Sequence, residues 1–285
     1  MSTGDQIAAG VVLVGGRSSR MGTTKAALEW HGSTLLHRAA ALLARTVDGP
    51  VLVVASPGQE LPELPAGVEV VEDPVEGVGP LQGLATGLAA LAGRAPAAFV
   101  CSTDMPFLHP AFVRRVLRGL TPETDVALPV ARGFRQPLAA AYRTGLAGLV
   151  ASLLAQGRTR PGMLYRDCTV AQLDDADLLD DAAVARLDPD LDSVVNVNTP
   201  EDYAAARARV PAAVQVQCFG ALAGEGRRGP RTLHVATLGS AAAAVGLELD
   251  RHVVAALNGD RITREVGLPL VAGDSVAFLS ADAGG

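Results

Sequence analysis

With 285 residues, 49% of them hydrophobic and only 4% aromatic, the chain can bury a sizeable aliphatic core, which excludes a disordered or fibrous protein. A formal net charge of −6 argues against a general nucleic-acid or anionic-membrane binder, because those need a broad basic surface, so any anion site must be local. Cys101, Cys168 and Cys218 are widely spaced with no CxxC pair to clamp zinc or shuttle electrons, and fit buried thiols in a reducing cytoplasm. The start, MSTGDQIAAGVVLVGG, has no cationic leader, and its apolar run is too short to span a bilayer. A soluble cytoplasmic protein is expected.

In chain order, short apolar runs bounded by Gly, Pro, Asp or Ser predict strands at Val11–Val14, Val51–Ala55, Val68–Val71, Ala98–Ser102, Val126–Val130 and Val194–Val197, each covered on both faces. Helices are predicted between them at Leu35–Arg45, Pro80–Leu91, Ala111–Leu120 and Leu146–Gln156, with Leu81, Leu84, Leu88 and Leu91 on one stripe. Thr199 as cap, Pro200 in the first position and the acids Glu201 and Asp202 predict a further helix from Pro200 to about Arg209. Strand and helix alternate as in an α/β, doubly wound, mostly parallel sheet.

Past residue 210 the texture changes. Strands are predicted at 214–219, 252–259 and 275–280, with Asn258-Gly259 as a hairpin turn and an Ala-rich segment at 232–247 that makes a poor helix. The expected organisation is therefore a first domain over residues 1–210 and a small α+β domain over 211–285.

The stretch VGGRSSRMGTTK at 14–25 places two glycines after an apolar run and three cations with no acid. Without Cβ atoms the backbone N–H groups can approach an anion closely, while Arg17, Arg20 and Lys25 supply charge, a combination suited to a polyphosphate. A glycine-rich turn with solvated basic residues would read the same way. It is neither a Walker A loop, since Lys25 follows no glycine and has no Ser/Thr behind it, nor GxGxxG.

This stretch resembles the GG-x-S-x-RMG-x-x-K fingerprint of cofactor and sugar nucleotidyltransferases, most closely the molybdenum cofactor guanylyltransferase family. Further matches follow in the family's order: Asp73 with Gly79-Pro80-Leu81-Gln82-Gly83-Leu84, then Cys101-Ser102-Thr103-Asp104-Met105-Pro106-Phe107, Gln136-Pro137-Leu138, and Asn196-Val197-Asn198-Thr199-Pro200-Glu201-Asp202. The resemblance covers roughly residues 8–209 and implies a Rossmann-like nucleotidyltransferase fold. It also implies transfer of GMP from GTP to molybdopterin or its molybdenum form, with release of pyrophosphate and with Mg²⁺.

Asp104 falls just beyond the carboxyl end of a predicted strand, where open α/β sheets place ligand-binding groups; the resemblance makes it the metal ligand, and loop capping is the plainer duty. Lys25, with Arg20, would offset charge as the α-phosphorus is attacked. The resemblance further implies nucleotide contacts from Leu13, Gly15, Gly16, Arg17, Lys25, Ser56, Asp73 and Asp104. Ser56 stands where the family often has an asparagine, and Asp73-Pro74 could equally be a turn. Asn198 is a candidate second metal ligand and also a natural residue at a helix start. A cytidylyltransferase for the same cofactor, or a nucleotidyltransferase for another metabolite, is the neighbouring alternative.

The chain ends in Gly284-Gly285, and residues 214–285 resemble the small, sulfur-carrying subunit of molybdopterin synthase, a β-grasp (ubiquitin-like) domain. That resemblance implies a thiocarboxylate at Gly285, an adenylating or sulfurating enzyme as partner, and the large synthase subunit as another. A non-catalytic sulfur-carrier scaffold is the alternative of a different class.

Overall fold

A computed structural model of the chain describes residues 7–15, 24–75, 77–224 and 229–281. The chain divides into two compact units, one of Met1–Leu28 with Thr34–Tyr203 and the other of Glu29–Ser33 with Ala204–Gly285.

The elements run β1 (Ala8–Leu13), the short ribbon β2 (Glu29–Trp30) and β3 (Ser33–Thr34), α1 (Leu35–Ala44), β4 (Val51–Ala55), β5 (Val68–Glu72), α2 (Pro80–Ala90), β6 (Ala97–Ser102) and α3 (Pro110–Leu117). There follow β7 (Val126–Ala131), β8 (Phe134–Arg135), β9 (Ala139–Arg143), α4 (Ala147–Ala155), β10 (Val170–Asp174), α5 (Asp175–Leu179), α6 (Ala182–Leu187) and α7 (Pro200–Arg207). The larger unit is built on a sheet of order β10-β7-β9-β6-β1-β4-β5, with β8 paired to β7. Neighbours are parallel from β5 to β6 and between β7 and β10, whereas β9 runs antiparallel between β6 and β7.

Side-chain alternation along β1 shows how the sheet is covered. Val11 and Leu13 join Leu81, Leu84 and Leu88 of α2 and Val150 and Leu153 of α4 in one core on one face. Gly10 points the other way, where a Cβ would lie 3.0 Å from Leu43 of α1. Phe99 of β6 meets Phe112 of α3 edge to face at 6.4 Å on a register position alternate to Ala98 and Val100. Helices therefore cover both faces. The leucine stripe expected on α2 is buried in full.

The structure corrects the expected pattern at four places. Residues 194–197 are not a strand: Asp192–Val194 form a 3-10 turn and the chain then runs irregularly to the α7 cap, because the segment carries a polar Asn196 and no neighbouring strand takes its amides. The sheet instead gains β9 and β10, whose sequences AAAYR and VAQLD give too weak an alternation to read as strands. Nor is β5 covered on both faces, since it is an edge strand with Val70 half exposed. Of the cysteines, Cys101 and Cys218 are buried but Cys168 only partly so.

The second unit contains β11 (Ala213–Cys218), β12 (Arg231–His234), α8 (Leu238–Ala244), β13 (Val253–Leu257), β14 (Arg261–Thr263) and β15 (Ser275–Ser280). Its sheet order is β12-β11-β15-β13-β14, with β11 and β15 side by side and parallel inside it. The Ala-rich segment does form a helix, because Thr237 and Ser240 make a reciprocal capping box that offsets the poor propensity of Gly239. Asn258 and Gly259 adopt positive φ in the β13–β14 hairpin, as expected. Leu238, Ala241, Ala255, Phe278 and Val214 close its core. Among the described residues no helix is long and apolar enough to cross a membrane.

Candidate active site

β1 is flanked by β4 on one side and by β6 on the other, so the chain leaves β1 in one direction and returns past it; open sheets bind ligands at such a reversal, beyond the carboxyl ends of the strands. Leu13 pairs in register with Ser102, so the segments leaving β1 and β6 start side by side.

Lys25 opens a 3-10 turn, Lys25–Ala27, in which the Ala27 amide donates to the Thr24 carbonyl at 3.0 Å. Burial of Ala26 anchors this turn and leaves the lysine stem partly exposed. The Leu35 amide, at the start of α1, donates to the Leu28 carbonyl at 3.0 Å and fixes where the turn ends.

Asp104 lies two residues past β6. Its Oδ1 accepts a short hydrogen bond from the Ser102 hydroxyl, and its Oδ2 accepts from Lys25 Nζ at 3.1 Å. The same Nζ donates to Asn198 Oδ1 at 2.9 Å. Main-chain contacts hold this arrangement: the Val197 amide donates to the Asp104 carbonyl at 2.9 Å, and Arg38 Nε of α1 donates to the Pro106 carbonyl at 2.6 Å. Asn198 does serve the helix start, through its main chain, while its side-chain oxygen is engaged by Lys25. Its amide, with that of Thr199, donates to the Asp202 carboxylate at the start of α7, and these two amides hold the Asp202 pKa below the usual carboxylate range. Its side chain points to Lys25.

The remaining candidates lie along the same sheet edge. Leu13 is buried under α2, where a Cβ on Gly83 would come within 3.3 Å of it, and Gly15 is exposed with open space about its Cα. Ser56 follows β4 directly, its amide donating to Gln59 Oε1 at 3.1 Å. Asp73 follows β5, its amide bound to the Ala55 carbonyl at 2.8 Å and its Oδ1 accepting from Thr86 of α2 at 3.1 Å. Gly16, Arg17, Arg20 and Gly285 lie outside the described residues. Thus Lys25, Asp104 and Asn198 touch, while Leu13 and Gly15, Ser56, and Asp73 lie at the carboxyl ends of β1, β4 and β5 of the same sheet.

Sequence reading missed Ser102 and Arg38. Ser102 belongs to the Cys101–Phe107 motif, but no local pattern tells that its hydroxyl meets Asp104; Arg38 announces itself only as a cation inside the apolar run LLHRAAALLA, a position that must either snorkel outward or find acceptors indoors. Cys101, beside Asp104 in sequence, is no rival nucleophile, because burial first and the Asp104 charge second push its thiol far up.

Residues 10–176 match the MobA-like NTP transferase domain. The chain belongs to the MobA-like NTP transferase family. It is a nucleotidyltransferase. Over 160 residues this family member is 41% identical to a protein of Mycobacterium tuberculosis H37Rv named probable molybdenum cofactor guanylyltransferase, covering 55% of this chain and 78% of the relative. A protein of the same name from Bacillus cereus AH187 is 31% identical over 201 residues, 70% of this chain and 95% of the relative. In fold, the crystal structure of molybdopterin-guanine dinucleotide biosynthesis protein A from Archaeoglobus fulgidus superposes with a TM-score of 0.55 at 22% identity, covering 70% of this chain and 96% of that one. The MobA-like sheet is thus mixed α/β with a mostly parallel centre, as the alternation of elements predicted.

Proposed function

We propose that this nucleotidyltransferase moves GMP from GTP to the phosphate of molybdopterin or its molybdenum form, in molybdenum cofactor biosynthesis in the cytoplasm. The single observation that supports this best is the convergence of Lys25 Nζ, Asp104 Oδ2 and Asn198 Oδ1 at the carboxyl ends of β1 and β6, together with relatives named for that activity. A phosphate oxygen of the acceptor attacks the α-phosphorus in line, the bond from that phosphorus to the oxygen bridging to the β-phosphorus breaks, and the pair of electrons leaves with pyrophosphate; no covalent enzyme intermediate is needed.

The donor set suits Mg²⁺. Asp104 Oδ2 and Asn198 Oδ1 both accept from Lys25 Nζ, at 3.1 Å and 2.9 Å, so two hard oxygens lie near one another; Mg²⁺ takes only one or two protein oxygens, filling the rest of its shell with water and phosphate, and would take these two as Lys25 turns to the phosphates. When bound, Mg²⁺ would offset charge on the triphosphate and leaving group. Asp104 and Asn198 would hold it; Lys25, with Arg20, would stabilise charge developing about the α-phosphorus; Leu13, Gly15, Gly16, Arg17, Ser56 and Asp73 would contact base, ribose and phosphates.

The test is to supply Mg²⁺, GTP and molybdopterin to the purified full chain and measure pyrophosphate. No release from folded protein would end this reading, and preference for CTP over GTP would move it to the cytidylyl alternative.

For the second unit we infer a β-grasp domain acting as a sulfur carrier: ATP adenylates the Gly285 carboxylate with loss of pyrophosphate, sulfide-level sulfur from a sulfurating enzyme displaces AMP to leave the thiocarboxylate, and that sulfur is delivered with the large subunit of molybdopterin synthase. The order β12-β11-β15-β13-β14 with a parallel central pair supports the fold reading. Mass spectrometry for a thiocarboxylate at Gly285 tests the rest.

A further inference from the structure

Arg38 sits in the first turn of α1 with 8% of its surface exposed, although arginines are seldom enclosed to that degree unless their N–H groups are engaged. Its Nε donates at 2.6 Å to the carbonyl of Pro106, two residues beyond Asp104. That same first turn also anchors the lysine, because the Leu35 amide binds the carbonyl of Leu28, three residues beyond Lys25, at 3.0 Å. One helical turn thus holds both the segment bearing Lys25 and the loop bearing Asp104. From the other side, the Val197 amide holds the Asp104 carbonyl, which ties Asn198 to the same loop. Farther along, the His109 amide donates to Ser193 Oγ at 3.0 Å and closes the loop onto the N-terminus of α3.

We propose that Arg38 is a positioning residue that sets the Lys25–Asp104 spacing by fixing the Asp104 loop to the helical turn on which the Lys25 segment rests. It touches no reacting atom and acts through Asp104. The inference rests on the nucleotidyl-transfer reading above. A loop freed by even about an ångström would misplace the Asp104 carboxylate relative to both Lys25 and a metal-bound triphosphate, a displacement of the size that costs about a hundredfold in rate.

The experiment uses the full chain as wild type, Arg38→Met, which fills the space without a donor, and Arg38→Lys, which restores one. Pyrophosphate release gives kcat and KM, and paramagnetic resonance of Mn²⁺ in the presence of a non-hydrolysable GTP analogue gives metal affinity independently of turnover. The expected result for Arg38→Met is kcat lower by about tenfold or more and Mn²⁺ affinity lower by about tenfold, with KM for GTP within about threefold of wild type and partial recovery in Arg38→Lys. Wild-type kcat and Mn²⁺ affinity in folded Arg38→Met would overturn the proposal. So would loss of fold in both variants, since that would assign Arg38 to stability alone. If the wild type itself releases no pyrophosphate, the functional reading fails and takes this inference with it; if only the Arg38 variants behave as wild type, the functional reading stands and this inference falls.

Discussion

Lys25 Nζ and Asp104 Oδ2 lie 3.1 Å apart although 79 positions separate the two residues in sequence. Each side chain keeps about a fifth of its surface exposed, at 20% and 18%, so the pair belongs with ion pairs worth no more than about 1 kcal/mol to the fold. Its value must lie elsewhere. Lys25→Ala should therefore leave the urea midpoint almost unchanged while lowering kcat for pyrophosphate release by about 10²–10³, the loss typical of one well-placed charge-stabilising donor. Equal losses of stability and activity would instead mark Lys25 as structural.

Asp104→Asn keeps the shape and an acceptor for Ser102 but removes the charge. We expect kcat to fall by at least about 10² with the melting temperature little changed, and saturating Mg²⁺ should not restore it. Asn198→Ala separates that residue's two duties. The amide to Asp202 survives in alanine while the oxygen facing Lys25 is lost, so α7 should persist by circular dichroism and the Mg²⁺ concentration for half-maximal rate should rise about 10-fold.

Packing at the sheet makes a prediction independent of chemistry. A Cβ on Gly87 of α2 would lie 2.8 Å from Val11 Cγ1 of β1, so Gly87→Ala should destabilise the larger unit by about 1–3 kcal/mol. Gly148 of α4 has open space, and Gly148→Ala should be stabilising by about 0.5–1 kcal/mol through helix propensity. Chemical denaturation of the two variants checks the contrast.

Asp188 supplies a pH dependence. Burial pushes its carboxyl up to about 6, against the opposing effect of the Ser193 hydroxyl and the Ser193 and Asp192 amides that it accepts. The folded chain therefore holds a proton there that the unfolded chain has already released, so this group favours folding at low pH and that contribution is lost as pH rises toward about 6. Asp188→Asn, which cannot titrate, should gain stability relative to wild type as pH goes from about 4 to about 7, by a few kcal/mol at most. Urea unfolding of both proteins across that window reads the difference; a constant gap would refute it.

Removal of Gly284-Gly285 should leave pyrophosphate release from GTP and molybdopterin at the wild-type rate, because the residues proposed for nucleotidyl transfer all belong to the other unit. Loss of that activity would favour the carrier-scaffold reading instead.

The sequence by itself determined the local pieces. Periodicity and punctuation located β1, β4, β6, β7 and the first helices, since a two-face-covered strand and an amphipathic helix each write their burial into consecutive residues. The same held for the acid near the end of β6 and the lysine after β1. The structure alone decided what needs distant partners: β9 and β10 are strands because β6 and β7 offer them hydrogen bonds, and residues 194–197, three valines about Asn196, are not one because no strand of the described sheet pairs with them. Likewise no local pattern could tell that Asn198 meets Lys25, or that Arg38 of α1 grips the loop carrying Asp104. Those contacts depend on how β1, β6 and α1 stack, a matter of sheet order and helix packing rather than of any neighbouring residues.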